Sequence, residues 1–163
     1  IIGNENLYKT LQSYYKEYKF KHPVPNDIRR IAERVSGIQL RWYLTDWTQT
    51  ANTIDYAINE VNSIEGGTQI VLERKGMMPM PLDVLVEFED GSKEMYYIPI
   101  TLMRGGKENP YSFSWNVEKD WSWSNPKYIF TVPKKIENIT LIDVDPSFYM
   151  ADIDRTNNTY YKK

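Results

Sequence analysis

The hydrophobic period of the sequence changes within residues 18–58, YKFKHPVPNDIRRIAERVSGIQLRWYLTDWTQTANTIDYAI. In its first part, apolar residues recur every three or four positions, which is the period of an amphipathic helix. From residue 53 onward, apolar and polar residues alternate, which is the period of a strand with one buried face. The stretch therefore predicts that helices give way to sheet, with the boundary near residues 51–52.

Three short helices are predicted before this boundary. The first covers residues 4–19, the second starts at Asn26 as its N-cap and ends at Gly37, and the third covers residues 40–50. The apolar face predicted for the first helix comprises Leu7, Leu11, Tyr14, Tyr15 and Tyr18. Helices this short are not stable alone in water, so we expect each to pack on a neighbour.

About seven short strands are predicted after the boundary, separated by turn signals every 8–15 residues. Asp90-Gly91 is the strongest hairpin signal, and it joins a strand at 82–88 to one at 93–100. This spacing is typical of an antiparallel β-sandwich of the immunoglobulin-like type. The predicted fold class is α+β: a helical segment at 1–51, a β-sandwich domain at 52–149 and a polar C-terminal tail at 150–163, which we expect to lie on the surface. The predicted strands are 54–58, 69–74, 82–88, 93–100, 112–117, 128–132 and 139–142.

Composition excludes several classes of function. The net charge is -2, and the excess of positive charge in residues 1–50 is only 3, which is too small for a surface that follows phosphates. We therefore expect no nucleic acid partner. No apolar run approaches the length of a membrane span, so we expect no membrane partner either. With no cysteine in the chain, disulfides, thiolate zinc sites and cysteine nucleophiles are excluded.

Two groups of residues are candidate metal ligands. His22 is the only histidine, and a proline follows it, so we expect a packing or capping residue rather than a ligand. Four aspartates form two D-x-D pairs, and oxygen-rich clusters of this kind can bind calcium. They lack EF-hand spacing, so we expect solvated turn residues, with calcium as the alternative. The four are Asp143, Asp145, Asp152 and Asp154.

Aromatic residues are concentrated in segment 111–128, which contains Trp115, Trp121 and Trp123. If residues 121–123 were extended, two of these rings would share one face of a strand and could stack on sugar rings. The segment would then form the binding patch of a carbohydrate- or protein-binding module. The alternative, which we expect, is that the rings pack into the core of the sandwich or its junction with the helices.

Met77, Met78 and Met80 lie around Pro79 and Pro81. Methionines can form an adaptable partner-binding surface. Prolines block further strand pairing, so these residues are also suited to sealing an edge of the sandwich, which is the role we expect.

Residues 19–47, KFKHPVPNDIRRIAERVSGIQLRWYLTDW, resemble the C-terminal part of the catalytic region in bacterial aminopeptidase N-like zinc metallopeptidases, a gluzincin family. Ile28 departs from the pattern, which usually has Phe there. Residues 88–92 and 151–158 also resemble a hairpin and the tail of that family. The matching positions are Phe20, His22, Pro23, Pro25, Asp27, Glu33, Ser36, Gly37, Leu40, Trp42 and Trp47.

The resemblance implies a role without chemistry for this chain. The family's zinc site needs an HExxH helix and a further Glu, and its substrate site needs a GxMxN motif; neither motif occurs here. No catalytic, cofactor-binding or metal residue can therefore be assigned. The resemblance implies that the chain is a C-terminal fragment that braces an upstream catalytic domain of the same polypeptide. We expect zinc only in that domain.

The resemblance also implies what the parent protein does. The parent would hydrolyse N-terminal peptide bonds, and peptide substrates would be met only through it. A periplasmic or secreted location is the one that the resemblance favours. The start at Ile1-Ile2-Gly3, without an initiator Met, fits the expectation of a fragment.

Overall fold

The computed structural model describes residues 1–162, which form an α+β fold and divide into two compact units. The helical unit comprises Ile1–Ala51 together with Leu102–Pro110, and the β unit comprises Asn52–Thr101 and the residues from Tyr111 to 162. The segment 102–110 had been expected inside the β-sandwich. It clusters with the helices instead, which no local sequence pattern indicated.

The described residues form three α-helices, all in the helical unit: α1 at Asn4–Tyr18, α2 at Pro25–Ser36 and α3 at Arg41–Gln49. Helix α1 packs against α2. None of the helices within residues 1–162 has the length and apolar character that a membrane crossing requires.

The ends of α2 show how the sequence sets its boundaries. Asn26 was predicted as the N-cap, but it lies inside the first turn, because Pro25 already occupies a helical position. Asp27 caps this end instead: its carboxylate accepts a hydrogen bond from the backbone N–H of Val24 at 2.8 Å. At the other end, Gly37 takes the left-handed conformation (φ 70°) and its N–H donates to the carbonyl of Glu33, which confirms the predicted helix end.

Glu33 shapes the connection between α2 and α3. Its carboxylate accepts from the backbone N–H of Leu40 at 2.8 Å and from the Arg29 guanidinium at 2.8 and 3.0 Å. A carboxylate that accepts hydrogen bonds both from a side chain and from the backbone beyond the helix fixes the direction in which that backbone leaves the helix. Glu33 therefore fixes the course of residues 37–40, which we call the α2–α3 connector.

The β unit contains two sheets. One is a three-stranded antiparallel sheet with the order β1-β2-β6, and the other has five strands with the order β5-β4-β3-β7-β8. Within residues 1–162, the eight strands of the two sheets are β1 Tyr56–Ile64, β2 Gly67–Arg74, β3 Leu82–Phe88, β4 Lys93–Ile98, β5 Ser114–Val117, β6 Lys127–Val132, β7 Ile139–Val144 and β8 Thr159–Tyr161.

Strand β5 corrects the expectation of purely antiparallel sheets. It pairs parallel to β4, so the five-stranded sheet is mixed. A parallel pair needs a long crossover connection, and residues 99–113 supply one between these two strands. The hairpin predicted at Asp90-Gly91 is confirmed, since it joins the antiparallel neighbours β3 and β4.

The core of the β unit lies around β3 and β4, and two tyrosines connect the sheets. The Tyr56 hydroxyl of β1 donates to the carbonyl of Met80 and accepts from its N–H at 2.7 Å, and burial raises the pKa of this hydroxyl well above its usual range. The ring of Tyr96 in β4 lies 5.1 Å from that of Phe130 in β6. Aromatic contacts of this kind join strands of one sheet to strands of the other.

The C-terminal residues contribute a strand that the sequence did not predict. Instead of lying loosely on the surface, Thr159–Tyr161 forms β8 at the edge of the five-stranded sheet, antiparallel to β7. Asp152 ties the segment before it to β1, because its carboxylate accepts from the backbone N–H of Tyr56 at 3.0 Å. The predicted tail is thus part of the sheet.

Gly76 lies against the backbone of residues 53–55, and this close approach can be tested. A Cβ at this position would lie 2.3 Å from the carbonyl oxygen of Thr53 and 2.6 Å from the backbone nitrogen of Asp55. Both are backbone atoms, so the strand must shift, and we expect Gly76→Ala to lower the free energy of unfolding by about 2 kcal/mol. Urea unfolding followed by circular dichroism measures this change.

Gly105→Ala is the matched control, because the nearest atom to its Cβ would be 3.5 Å away, an ordinary contact. We expect its unfolding midpoint to stay close to that of the wild type. Equal midpoints for the two variants would contradict the close backbone approach at Gly76.

Candidate functional site: an apolar surface on the helices

Helix α1 presents a row of large apolar side chains to solvent. Leu7, Tyr8, Leu11 and Tyr15 are 44%, 67%, 46% and 68% exposed, and their spacing places them on one side of the helix. We call this row the α1 apolar face. The only buried residue of the helix is Thr10.

The α1 apolar face is a partial correction of the sequence prediction. Leu7, Leu11 and Tyr15 do share one side of a helix, as their period indicates. However, the residues from 1 to 162 cover that side only in part, because these three side chains are 44–68% exposed. Periodicity identifies which face is apolar, but it does not say whether the covering surface is in the same chain.

Helix α3 also has large side chains that are exposed to solvent. None of its residues is buried, and Trp47 is exposed to about half of its area. The ring of Tyr43 contacts those of Trp42 and Trp47, edge to face, at 5.7 and 6.0 Å. Neither of the other two helices of the described chain packs extensively on this nine-residue helix.

The turn between α1 and α2 adds further exposed apolar area. Phe20 is almost fully exposed and adopts a left-handed backbone conformation (φ 62°), which is strained for a residue with a large side chain. Val24, next to α2, is also exposed. Large contiguous apolar areas on a protein surface are typical of interaction sites. The geometry of the helical unit therefore suits docking.

His22 lies in this turn with an exposed side chain. Across residues 1–162, no three His, Cys, Asp or Glu side chains are grouped so that they could hold a metal ion. The helical unit thus presents apolar side chains and an exposed imidazole.

The three tryptophans of segment 111–128 do not share a surface. Trp121 is buried, with its indole N–H donating to the carbonyl of Asn125 at 2.8 Å and its ring 5.5 Å from that of Tyr56. Trp115 is half-buried in β5, where its ring stacks on Tyr97 at 5.1 Å.

Trp123 is the one tryptophan of the three that is mostly exposed. The alternative in which Trp121 and Trp123 share a strand face does not hold, because Asn125 N–H donates to Ser122 O and closes a turn over these residues. The expectation that all three rings are packed inside is wrong for Trp123. Trp121 packs into the core, as expected. The proposed three-ring binding patch therefore has only one ring available to a ligand.

Arg74 connects Trp123 with the methionine segment. Its guanidinium donates to the carbonyl of Trp123 at 2.6 Å and to that of Met77 at 3.1 Å. Met78 and Met80 are buried, whereas Met77 is 69% exposed. Two of the three methionines thus seal the β unit, and the third remains at its surface.

Asp145 organises the loop that leads to β8. It is buried, and its carboxylate accepts from the backbone N–H groups of Tyr149 and Met150 and from the Arg155 guanidinium at 2.9 Å. The guanidinium also lies over the Phe148 ring at 3.9 Å. These donors occupy the carboxylate oxygens that a calcium ion would need.

The other aspartates of the two D-x-D pairs are also engaged. Asp152 accepts from the backbone N–H groups of Tyr56 and Asp154, and Asp154 accepts from Thr156. The expectation of solvated turn residues is therefore wrong for Asp145 and Asp152, which hold the C-terminal segment in place. It is also wrong for Asp143, which lies half-buried in β7. The partner Arg155 was missed, because no sequence pattern links positions ten residues apart in a loop.

A comparison with models of known protein families finds no match for this chain, and a comparison with curated protein sequences finds no similar protein.

Asp143 generates a prediction about pH. Burial raises the pKa of this carboxyl above its ordinary value of 3.8, while Thr159 Oγ1 donates to it at 3.2 Å. As the pH rises from 3.8 through the folded-state pKa, the folded chain keeps a proton that the unfolded chain loses. The stability contributed by this group therefore falls over that window and stays low at neutral pH.

We expect Asp143→Asn to raise the free energy of unfolding at pH 7, by less than about 1 kcal/mol because solvent screens a half-exposed carboxylate. Below the ordinary pKa the variant and the wild type should be equally stable. Urea unfolding across pH 3–8 measures the difference, with the exposed Asp120→Asn as control. A variant that loses stability at pH 7 would show that the ionised carboxylate is favourable here.

Proposed function

We propose that the chain is the non-catalytic C-terminal region of an aminopeptidase N-like zinc metallopeptidase. In this proposal the helices dock on the upstream catalytic domain of the same polypeptide and the β unit braces it. The observation that carries the proposal is the uncovered α1 apolar face, together with the poorly covered α3. The family resemblance of residues 19–47 supplies the partner.

The energetics favour a covered helical unit. Burying a leucine or aromatic side chain completely stabilises a protein by about 1.5–3 kcal/mol. The four side chains of the α1 apolar face are each exposed to roughly half of their area or more, so a docking partner would gain several kcal/mol from them. A helix with an apolar side of this width is suited to being an inner helix of a larger helical assembly.

For the β unit, we propose an immunoglobulin-like sandwich. Two sheets whose strands are mostly antiparallel, and the contact between Tyr96 and Phe130, support this arrangement. The parallel pair of β4 and β5 departs from the all-antiparallel pattern of that fold. The departure affects one edge of one sheet.

The parent reaction in this proposal is the hydrolysis of an N-terminal peptide bond by water activated at zinc. Zinc would be bound upstream, and peptide substrates would reach only that domain. A periplasmic or secreted location belongs to the same proposal.

The docking surface is tested by adding the chain in trans to the catalytic region encoded upstream of Ile1. We expect a 1:1 complex by isothermal titration calorimetry. Leu11→Ser should weaken it at least tenfold, because a polar side chain then faces the centre of the buried patch. Gln12→Ser is the matched control, since Gln12 is an exposed polar residue on the same helix, outside the α1 apolar face.

Two results would argue against the docking proposal. One is an upstream reading frame without an HExxH motif. The other is a Leu11→Ser variant that binds as tightly as the Gln12→Ser control. Circular dichroism of both variants shows whether α1 itself is retained.

The absence of chemistry is tested on the purified chain alone. We expect it to release no product from aminoacyl arylamides and to retain no zinc after dialysis, because the metal ligands would lie upstream. The same assays on the chain joined to its upstream region serve as the positive control. Stoichiometric zinc in the chain alone, measured by elemental analysis, would overturn the proposal.

A further inference from the structure

The segment Leu102–Pro110 belongs to the helical unit, although it lies between β4 and β5 in the sequence. The β unit holds both of its ends. Before the segment, Ile100 is buried and bridges to Trp121, and the N–H of Thr101 donates to the Trp121 carbonyl. After it, the Tyr111 ring lies against those of Phe113 and Trp115 at 5.1 and 5.8 Å.

Met103 is the fully buried residue of this segment. Its exposure is 0%, and its carbonyl accepts from the backbone N–H of Gln39 at 2.8 Å. Two residues later, Gly105 lies beside Gly37 and Ile38, so that a Cβ there would be in ordinary contact with both. The segment therefore covers the α2–α3 connector.

The connector lies where the helical unit has most of its buried apolar residues. Ile38 and Leu40 of the connector and Ile31 and Ala32 of α2 are buried. All three helices are short, and α1 and α2 are the only pair in the described chain that packs extensively. A helical unit with one extensively packed pair of helices gains a large fraction of its stability from an additional buried side chain.

We propose that residues 102–110 act as a strap on which the fold of the helical unit depends. When Met103 leaves its place, the α2–α3 connector opens while the strands stay folded. This inference stands without the docking proposed above, because it concerns only the residues of this chain.

The test is amide hydrogen exchange, resolved by residue, on the whole chain. In Met103→Ala we expect the Gln39 amide and the amides of Ile31 and Ala32 to exchange at least roughly 30-fold faster, the low end of the cost of truncating a buried methionine. The amides of Val84 and Val86 in β3 should keep their protection, since the strands do not depend on the strap.

Three further variants make the comparison specific. Met77→Ala removes an exposed methionine and should leave all of these amides unchanged. Met103→Leu keeps the volume and should retain protection at Gln39. Met103→Val is an intermediate truncation with an intermediate effect, and it serves as the test if the alanine variant does not accumulate as folded protein.

Two outcomes would overturn the inference. In the first, the amides of Gln39, Ile31 and Ala32 exchange as slowly in Met103→Ala as they do in Met77→Ala. If Met103→Val replaces the alanine variant, the same comparison applies to it. In the second, Val84 and Val86 lose as much protection as α2, which would mean that Met103 stabilises the chain as a whole. Faster exchange confined to the helical unit, retained protection in Met103→Leu and unchanged β3 amides would support the strap.

Discussion

A short helix is stable in water only when another surface covers its apolar side. The three helices of this chain have 15, 12 and 9 residues, so this constraint governs the whole helical unit. Part of the covering surface comes from the chain itself. Helix α1 packs on α2, and the buried Met103 belongs to a segment between two strands that clusters with the helices. The α1 apolar face and α3 remain largely uncovered, which is why their side chains are the strongest argument for a partner.

The β unit is under a different constraint and meets it internally. Its central strand β3 is paired on both sides, by β4 and β7, and Val84 and Val86 are fully buried. A buried carboxylate orders the loop that leads to the last strand. Asp145, at the start of this loop, accepts hydrogen bonds from two backbone N–H groups and from the Arg155 guanidinium.

Local patterns predicted the elements far better than the relations between them. Alternation located β3, and Gly37 located the end of α2, because both signals act over a few residues. The parallel pairing of β5 and the existence of β8 depend on distant partners, and Thr159–Tyr161 has no alternating pattern of its own. The same limit applies to the candidate site: period identified Leu7, Leu11 and Tyr15 as one apolar face, while their exposure depends on which residues lie opposite.

The residues that carry the family resemblance have local structural tasks in α2 and the connector after it. Asp27 caps the start of α2, Gly37 ends it, and Glu33 binds the N–H of Leu40 beyond it. Trp42 continues this pattern, because its indole N–H donates to the carbonyl of Gln39, whose own N–H is bound by Met103. A motif without catalytic groups is therefore understandable as the specification of one turn between two helices. The geometry of that turn decides in which direction α3 presents its aromatic side chains, and hence what a partner of the helical unit would have to fit.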